Sequence, residues 1–191
     1  MTTEIAYKPH VTVTKKGGKG VTHGAVSEYT GFVHVKPGKA ADLDAALKRF
    51  HERFRKAPMS AIQQIGLQDM RHVIFDDGTR MAWVLAFDTD WDNYIDDAIA
   101  IMGLEHWLDF LQYIEEYTPA VGGSNKSIKD FLQSAQSPAS GFSRAFPDPT
   151  IGQFRHALEV TKAFDNVLDQ PEAPEALQAP VLKPLLDLAS A

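Results

Sequence analysis

The segment Asp76-Asp77-Gly78-Thr79 constrains this chain more than any other. It separates two β-prone runs, Met70–Phe75 and Met81–Phe87, and an Asp-Gly turn between such runs is a strong local hairpin signal. The two runs are expected to pair antiparallel. Upstream, Tyr29, Gly31, Phe32, Val33 and Val35 read as a strand closed by the turn Pro37-Gly38. The period then changes. Leu43, Ala46, Leu47, Phe50 and Phe54 recur at helical spacing with Lys48, Arg49, Glu52 and Arg53 on the other face, which predicts a helix ending before Pro58.

Beyond the hairpin, Asp90 is placed to cap a helix carrying Tyr94, Ile95, Ala98, Ile99 and Met102. Gly103 breaks it, and Leu104, Trp107, Leu108 and Leu111 restart a stripe. Residues 119–124 have a loop composition, and residues 127–136 suit a short helix. The order so far is βαββα. Gly141–Phe146 is the expected last strand, with Phe142 and Phe146 apolar and Pro147 and Pro149 beyond it. Thr150 is then expected to cap a helix over Ile151–Leu168, whose stripe is Phe154, Leu158, Thr161, Phe164 and Leu168.

The expected fold class is α+β: a ferredoxin-like βαββαβ antiparallel sheet with helices on one face and an extra C-terminal helix. Residues 1–25 read as an N-terminal arm, 26–170 as the α+β domain, and 171–191 as a Pro/Leu-rich tail. In that tail, Leu182, Leu185, Leu186 and Leu188 are expected to pack on the same subunit or on a neighbour.

Composition closes several chemistries. Without cysteine there is no disulfide, thiolate-ligated metal or cysteine nucleophile. A net charge of -6 supplies no basic field for phosphate backbones, so nucleic acid is not an expected partner. No stretch approaches the apolar length of a membrane-spanning helix, which makes the cytoplasm the expected location. The run Lys15-Lys16-Gly17-Gly18-Lys19-Gly20 lacks the serine or threonine and the strand–helix setting of a P-loop, and reads as an arm or turn.

The run Arg71-His72-Val73-Ile74-Phe75-Asp76-Asp77, followed by Phe87-Asp88-Thr89-Asp90-Trp91-Asp92-Asn93-Tyr94-Ile95-Asp96-Asp97, resembles a group within the dimeric α+β barrel superfamily. Gly141-Phe142-Ser143-Arg144-Ala145-Phe146-Pro147 resembles a later segment of the same group. The resemblance implies a ferredoxin-like subunit that completes its barrel as a homodimer. Its wider superfamily holds heme-dependent peroxidases, chlorite-decomposing enzymes, heme-degrading or quinone-forming monooxygenases, and proteins without known activity. Two positions depart from the group. Gln68 stands where relatives tend to carry histidine, and Thr89 replaces a glycine.

Fold membership does not select among those chemistries, so the residues must. Asp88, Asp90 and Asp92 have the opening spacing of a calcium loop, but Asn93 and Ile99 occupy the places of its glycine and bidentate glutamate. They read as helix-start carboxylates. No zinc or facial-triad motif is present, so no metal site is expected. His106 and His156 are the histidines that could serve as axial heme ligands, the alternative for each being a surface or hydrogen-bonded side chain. Arg71 and His72 point to opposite faces of one strand. If Arg71 is the inward one, its guanidinium would orient an anionic or carbonyl-bearing ligand walled by Tyr29, Trp83 or Tyr94; the alternative is an ion pair between Arg71 and a nearby aspartate. A cavity lined by Arg71 or His72 with those aromatics would hold a small apolar or aromatic molecule, the substrate of an oxidoreductase. The rival expectation is a non-catalytic assembly domain that uses its sheet face and C-terminal tail.

Overall fold

The computed structural model describes residues 17–118 and 124–189. The arm up to Lys16 and most of the expected 119–124 loop lie outside them. The chain forms two compact units, one ending at Asp148 and one beginning at Pro149.

The first unit holds an antiparallel sheet of β1 (Thr22–His23), β2 (Val26–His34), β3 (Leu67–Phe75) and β4 (Arg80–Phe87), ordered β1-β2-β4-β3. Helix α1 (Ala40–Lys56) connects β2 to β3 and is followed by the short α2 (Met59–Ile65). The expected hairpin is present. β3 and β4 pair from Phe75↔Arg80 back to Leu67↔Phe87, with a bulge at Gln68. Asp76, Asp77 and Gly78 all take positive φ in the turn between them, the conformation for which Asp and Gly are suited.

Alternation along the strands sorts the side chains into two faces. One face carries Tyr29, Val33, Met81, Trp83, Leu85 and Phe87, all buried. Against it pack α1, α3 (Trp91–Met102), α4 (Leu104–Leu111) and α5 (Asn125–Ala135). The periodic residues read from the sequence are the ones buried: Leu43, Ala46, Leu47 and Phe50 on α1, and Tyr94, Ile95, Ala98, Ile99 and Met102 on α3. Gly103 takes φ 87° and separates α3 from α4 as expected. Asp90 holds the N-cap position of α3 without a side-chain capping bond; its carboxylate lies 3.7 Å from Lys19 Nζ.

The fourth strand is not the expected one. Gly141–Phe146 contains no strand, and the slot beside β2 belongs to β1. The later segment, residues 137–147, does a different job. Ser137 N donates to Thr30 O at 2.7 Å and Ala139 N to Glu28 Oε1 at 3.3 Å, while Ala25 N donates to Pro147 O at 3.0 Å. Arg144 N donates to His23 Nδ1 at 3.1 Å, and its Nη2 to Gln68 Oε1 at 2.9 Å. His23 and Gln68 belong to strands at opposite edges of the sheet, so this segment crosses one end of the face that the helices leave open. Glu28 and Ala86, both on that face, are accordingly buried. Its two prolines and the lack of apolar alternation explain the failure to pair as a strand.

Among the described residues, nothing covers the other end of the open face. Phe32 and Val73 are 40% and 47% exposed there, with the Arg80 guanidinium 5.0 Å from the Phe75 ring centroid. Gly18 is buried against Trp91 with its N–H on Gln136 Oε1 at 2.9 Å, and a Cβ there would meet the indole at 2.0 Å. The glycine run is therefore a packing device at this position.

In the second unit, α6 spans Ile151–Leu168 as read from the sequence. Thr150 and Gln153 form a reciprocal capping box at its start. Short helices α7 (Ala173–Ala176), a 3₁₀ turn (Pro180–Leu182) and α8 (Lys183–Ala189) follow, with Val181 and Leu188 strongly exposed.

Candidate functional site

Tyr29, Trp83 and Tyr94 are core residues. Tyr29 donates its hydroxyl to Leu132 O at 2.9 Å and stacks on Trp91 at 5.2 Å. Tyr94 stacks on Phe87 at 4.7 Å, and Trp83 contacts Trp107 with ring centroids 5.6 Å apart. Burial pushes both tyrosine hydroxyls far above their usual range. These rings fill the space between sheet and helices that the sequence reading assigned to a ligand.

Arg71 and His72 do point to opposite faces. Arg71 is exposed on the open face, without an ion pair among the described residues. His72 faces the helices, its ring 4.6 Å from Trp83 and 5.6 Å from Phe110. His72 Nδ1 stands 3.0 Å from His51 Nε2 on α1, and its Nε2 is buried without a hydrogen-bond partner among the described residues. Burial first, and the His51 charge second, push the His72 pKa down to about 3, so its ring is neutral. Burial, then Arg55, lowers His51 as well. The pair lines a pocket of about 600 Å³ between α1 and the edge strand β3. His51 escaped the sequence reading, because its partner is 21 residues away and only the sheet order brings them together.

The opposite side of α1 carries a larger feature. A groove of about 1120 Å³ runs between α1 and the α3–α4 corner. Phe50, Ile101, Met102, Leu108 and Tyr117 give it apolar walls. Its polar edge is bound up in internal bonds: Arg49 grips Asp109 with two hydrogen bonds at 2.9 and 3.0 Å, and Arg53 Nε donates to Met102 O at 2.7 Å, covering the end of α3. Arg49, Arg53 and Lys56 are matched in number by Glu52, Glu105 and Asp109, so the groove has no formal charge bias. Tyr117 is 2% exposed, and its hydroxyl is buried without a partner among the described residues.

His106 also lines the groove, its side chain 35% exposed and 3.7 Å from Glu105. His156 lies exposed on α6 of the second unit. Among the described residues, no group of three or more metal-ligating side chains converges. No helix there is long and apolar enough to cross a membrane.

No protein-family model matches the chain, and no curated protein matches it. Two solved structures are similar over about half of it. One is a provisionally named antibiotic biosynthesis monooxygenase from Bordetella bronchiseptica, at 18% identity over 48% of this chain and 87% of that one, TM-score 0.37. The other bears the same provisional name and comes from Nitrosomonas europaea, at 20% identity over 51% and 86%, TM-score 0.35. Superpositions at that level transfer no activity; the α+β assignment rests on this chain's own strand order and pairing.

Proposed function

We propose that this protein binds a small apolar or aromatic molecule in the groove between α1 and the α3–α4 corner. The observation that carries the reading is the Tyr117 hydroxyl, buried without a partner among the described residues, in a residue that lines an apolar groove. A buried, unbonded hydroxyl costs on the order of 1–3 kcal/mol, a penalty that a ligand's polar atom would remove. Because the groove's ionic groups balance and its two arginines are already bonded within the protein, the ligand is neutral, with an apolar body and one hydrogen-bonding group. An oxidoreductase acting on such a molecule would use this same groove. Heme is not part of the reading: His106, partly exposed beside Glu105, is not held over a closed apolar slot as an axial ligand would be.

The test is fluorescence titration with 2-naphthol and with 2-methylnaphthalene, which lacks the hydroxyl. Saturable one-site binding, stronger for 2-naphthol and lost when Ile101→Trp fills the groove, supports the reading. Absence of saturable binding, or binding that ignores Ile101→Trp, rejects it.

A second reading has its own support. The exposed Phe32 and Val73 on the uncovered end of the sheet suit a homodimer, with the second copy completing the apolar face. The exposed Val181 and Leu188 suit a further assembly contact. Dimerisation and groove binding use different surfaces of the first unit and are compatible.

A further inference from the structure

The pocket between α1 and β3 lies on the side of α1 away from the groove, and neither reading above uses it. Its defining feature is the approach of His51 Nε2 to His72 Nδ1 at 3.0 Å. Aromatic rings surround His72, with Trp83 at 4.6 Å, Phe110 at 5.6 Å and Phe50 at 6.1 Å between centroids. The 3.0 Å contact between His51 and His72 holds one proton between the two nitrogens, so one ring donates and the other accepts. A metal ion takes the place of that proton: the donating ring then carries its hydrogen on its other nitrogen, and both facing nitrogens offer lone pairs.

We propose that His51 and His72 together bind one tetragonal divalent transition-metal ion, copper(II) above all. Two nitrogens 3.0 Å apart, each about 2.0 Å from a shared ion, subtend about 97° there, near the right angle between neighbouring ligands of a square plane and short of the wider tetrahedral angle of zinc. Imidazole suits copper, and copper binds nitrogen sites most tightly among the first-row divalent ions. The carboxylates lining the pocket are engaged elsewhere: Asp44 with Lys48 at 2.5 Å, Glu52 with Lys56 at 3.0 Å and Arg55 at 3.6 Å. The protein thus supplies two ligands, and the remaining positions belong to water or to a small exchangeable ligand in a pocket of about 600 Å³.

The experiment is titration of the full, untagged chain with copper(II) chloride, followed by electron paramagnetic resonance and calorimetry. One equivalent should bind at least tenfold more tightly than any later one, with an axial signal split by two imidazole nitrogens. Zinc should bind at least tenfold more weakly. His51 is partly exposed, so His51→Asn should fold normally; in that variant the tight equivalent and the two-nitrogen splitting should both vanish. Unchanged copper binding in His51→Asn, a signal without two nitrogens, or no tight equivalent in the parent protein would each overturn the proposal.

Discussion

Arg144 donates from Nη2 to Gln68 Oε1 at 2.9 Å, which ties residues 137–147 to the bulge in β3. Gln68 in turn donates from Nε2 to Asp88 Oδ2, beyond the end of β4. The segment thereby covers the end of the sheet where Glu28 is buried.

Arg144→Ala should therefore loosen this covering without unfolding the sheet. The expected loss is about 1 kcal/mol, in the range of a hydrogen bond between a charged and a neutral group that keeps partial solvent access. Hydrogen exchange should accelerate at Ala25 and Ser137, whose amides join this segment to β2 and its approach, and stay unchanged at the β3–β4 pairs. Uniform acceleration across the sheet would show that the contact is not local.

The uncovered end of the same face makes a second prediction. A homodimer formed there should be broken by Val73→Glu, since the carboxylate would be buried opposite an apolar surface. Sedimentation velocity at tens of micromolar should show a dimer for the parent and a monomer for the variant, with unchanged circular dichroism. A monomeric parent, or a dimeric variant, removes this interface.

The strands, the hairpin and the principal helices were legible because each carries a local signal: alternation, an Asp-Gly turn, or apolar residues at helical spacing. Gly141–Phe146 imitates a strand because it sets two aromatics near prolines, whereas its role in covering the open face depends on contacts with His23 and Gln68, far off in sequence. The site was less legible for the same reason. His72 faces the helices as alternation allowed, but nothing local marks His51 as its partner, and nothing marks Tyr117 as buried with an unbonded hydroxyl. Residue type alone marks Tyr29, Trp83 and Tyr94 as ligand walls; packing uses them as core.

His72 also sets a pH dependence. Unfolded, it takes up a proton near 6.5; folded, burial and then His51 hold it down to about 3. Between those values the unfolded chain binds the extra proton, so the stability from a neutral His72 is complete above 6.5 and declines as pH falls towards 3. The slope is at most ~1.4 kcal/mol per pH unit, reduced by the part of His72 that water reaches. In chelator-treated protein, chemical denaturation from pH 7 to 4.5 should show this decline, and His72→Phe should flatten it. Equal slopes in both proteins would locate the effect elsewhere.

Tyr117→Phe separates stability from binding. Removing an unbonded buried hydroxyl should leave the free protein as stable or more stable, by up to about 1 kcal/mol. The same change should weaken 2-naphthol several-fold and leave 2-methylnaphthalene unaffected. A destabilised variant would mean that the hydroxyl has a partner in solution.

The most direct measurement is amide chemical-shift mapping of the ¹⁵N-labelled chain during titration with 2-naphthol. Groove binding predicts the largest changes at Arg53, Ile101, Met102, Leu108 and Tyr117. Changes centred on Phe32, Val73 and Ala82, or none at saturating 2-naphthol, would contradict it.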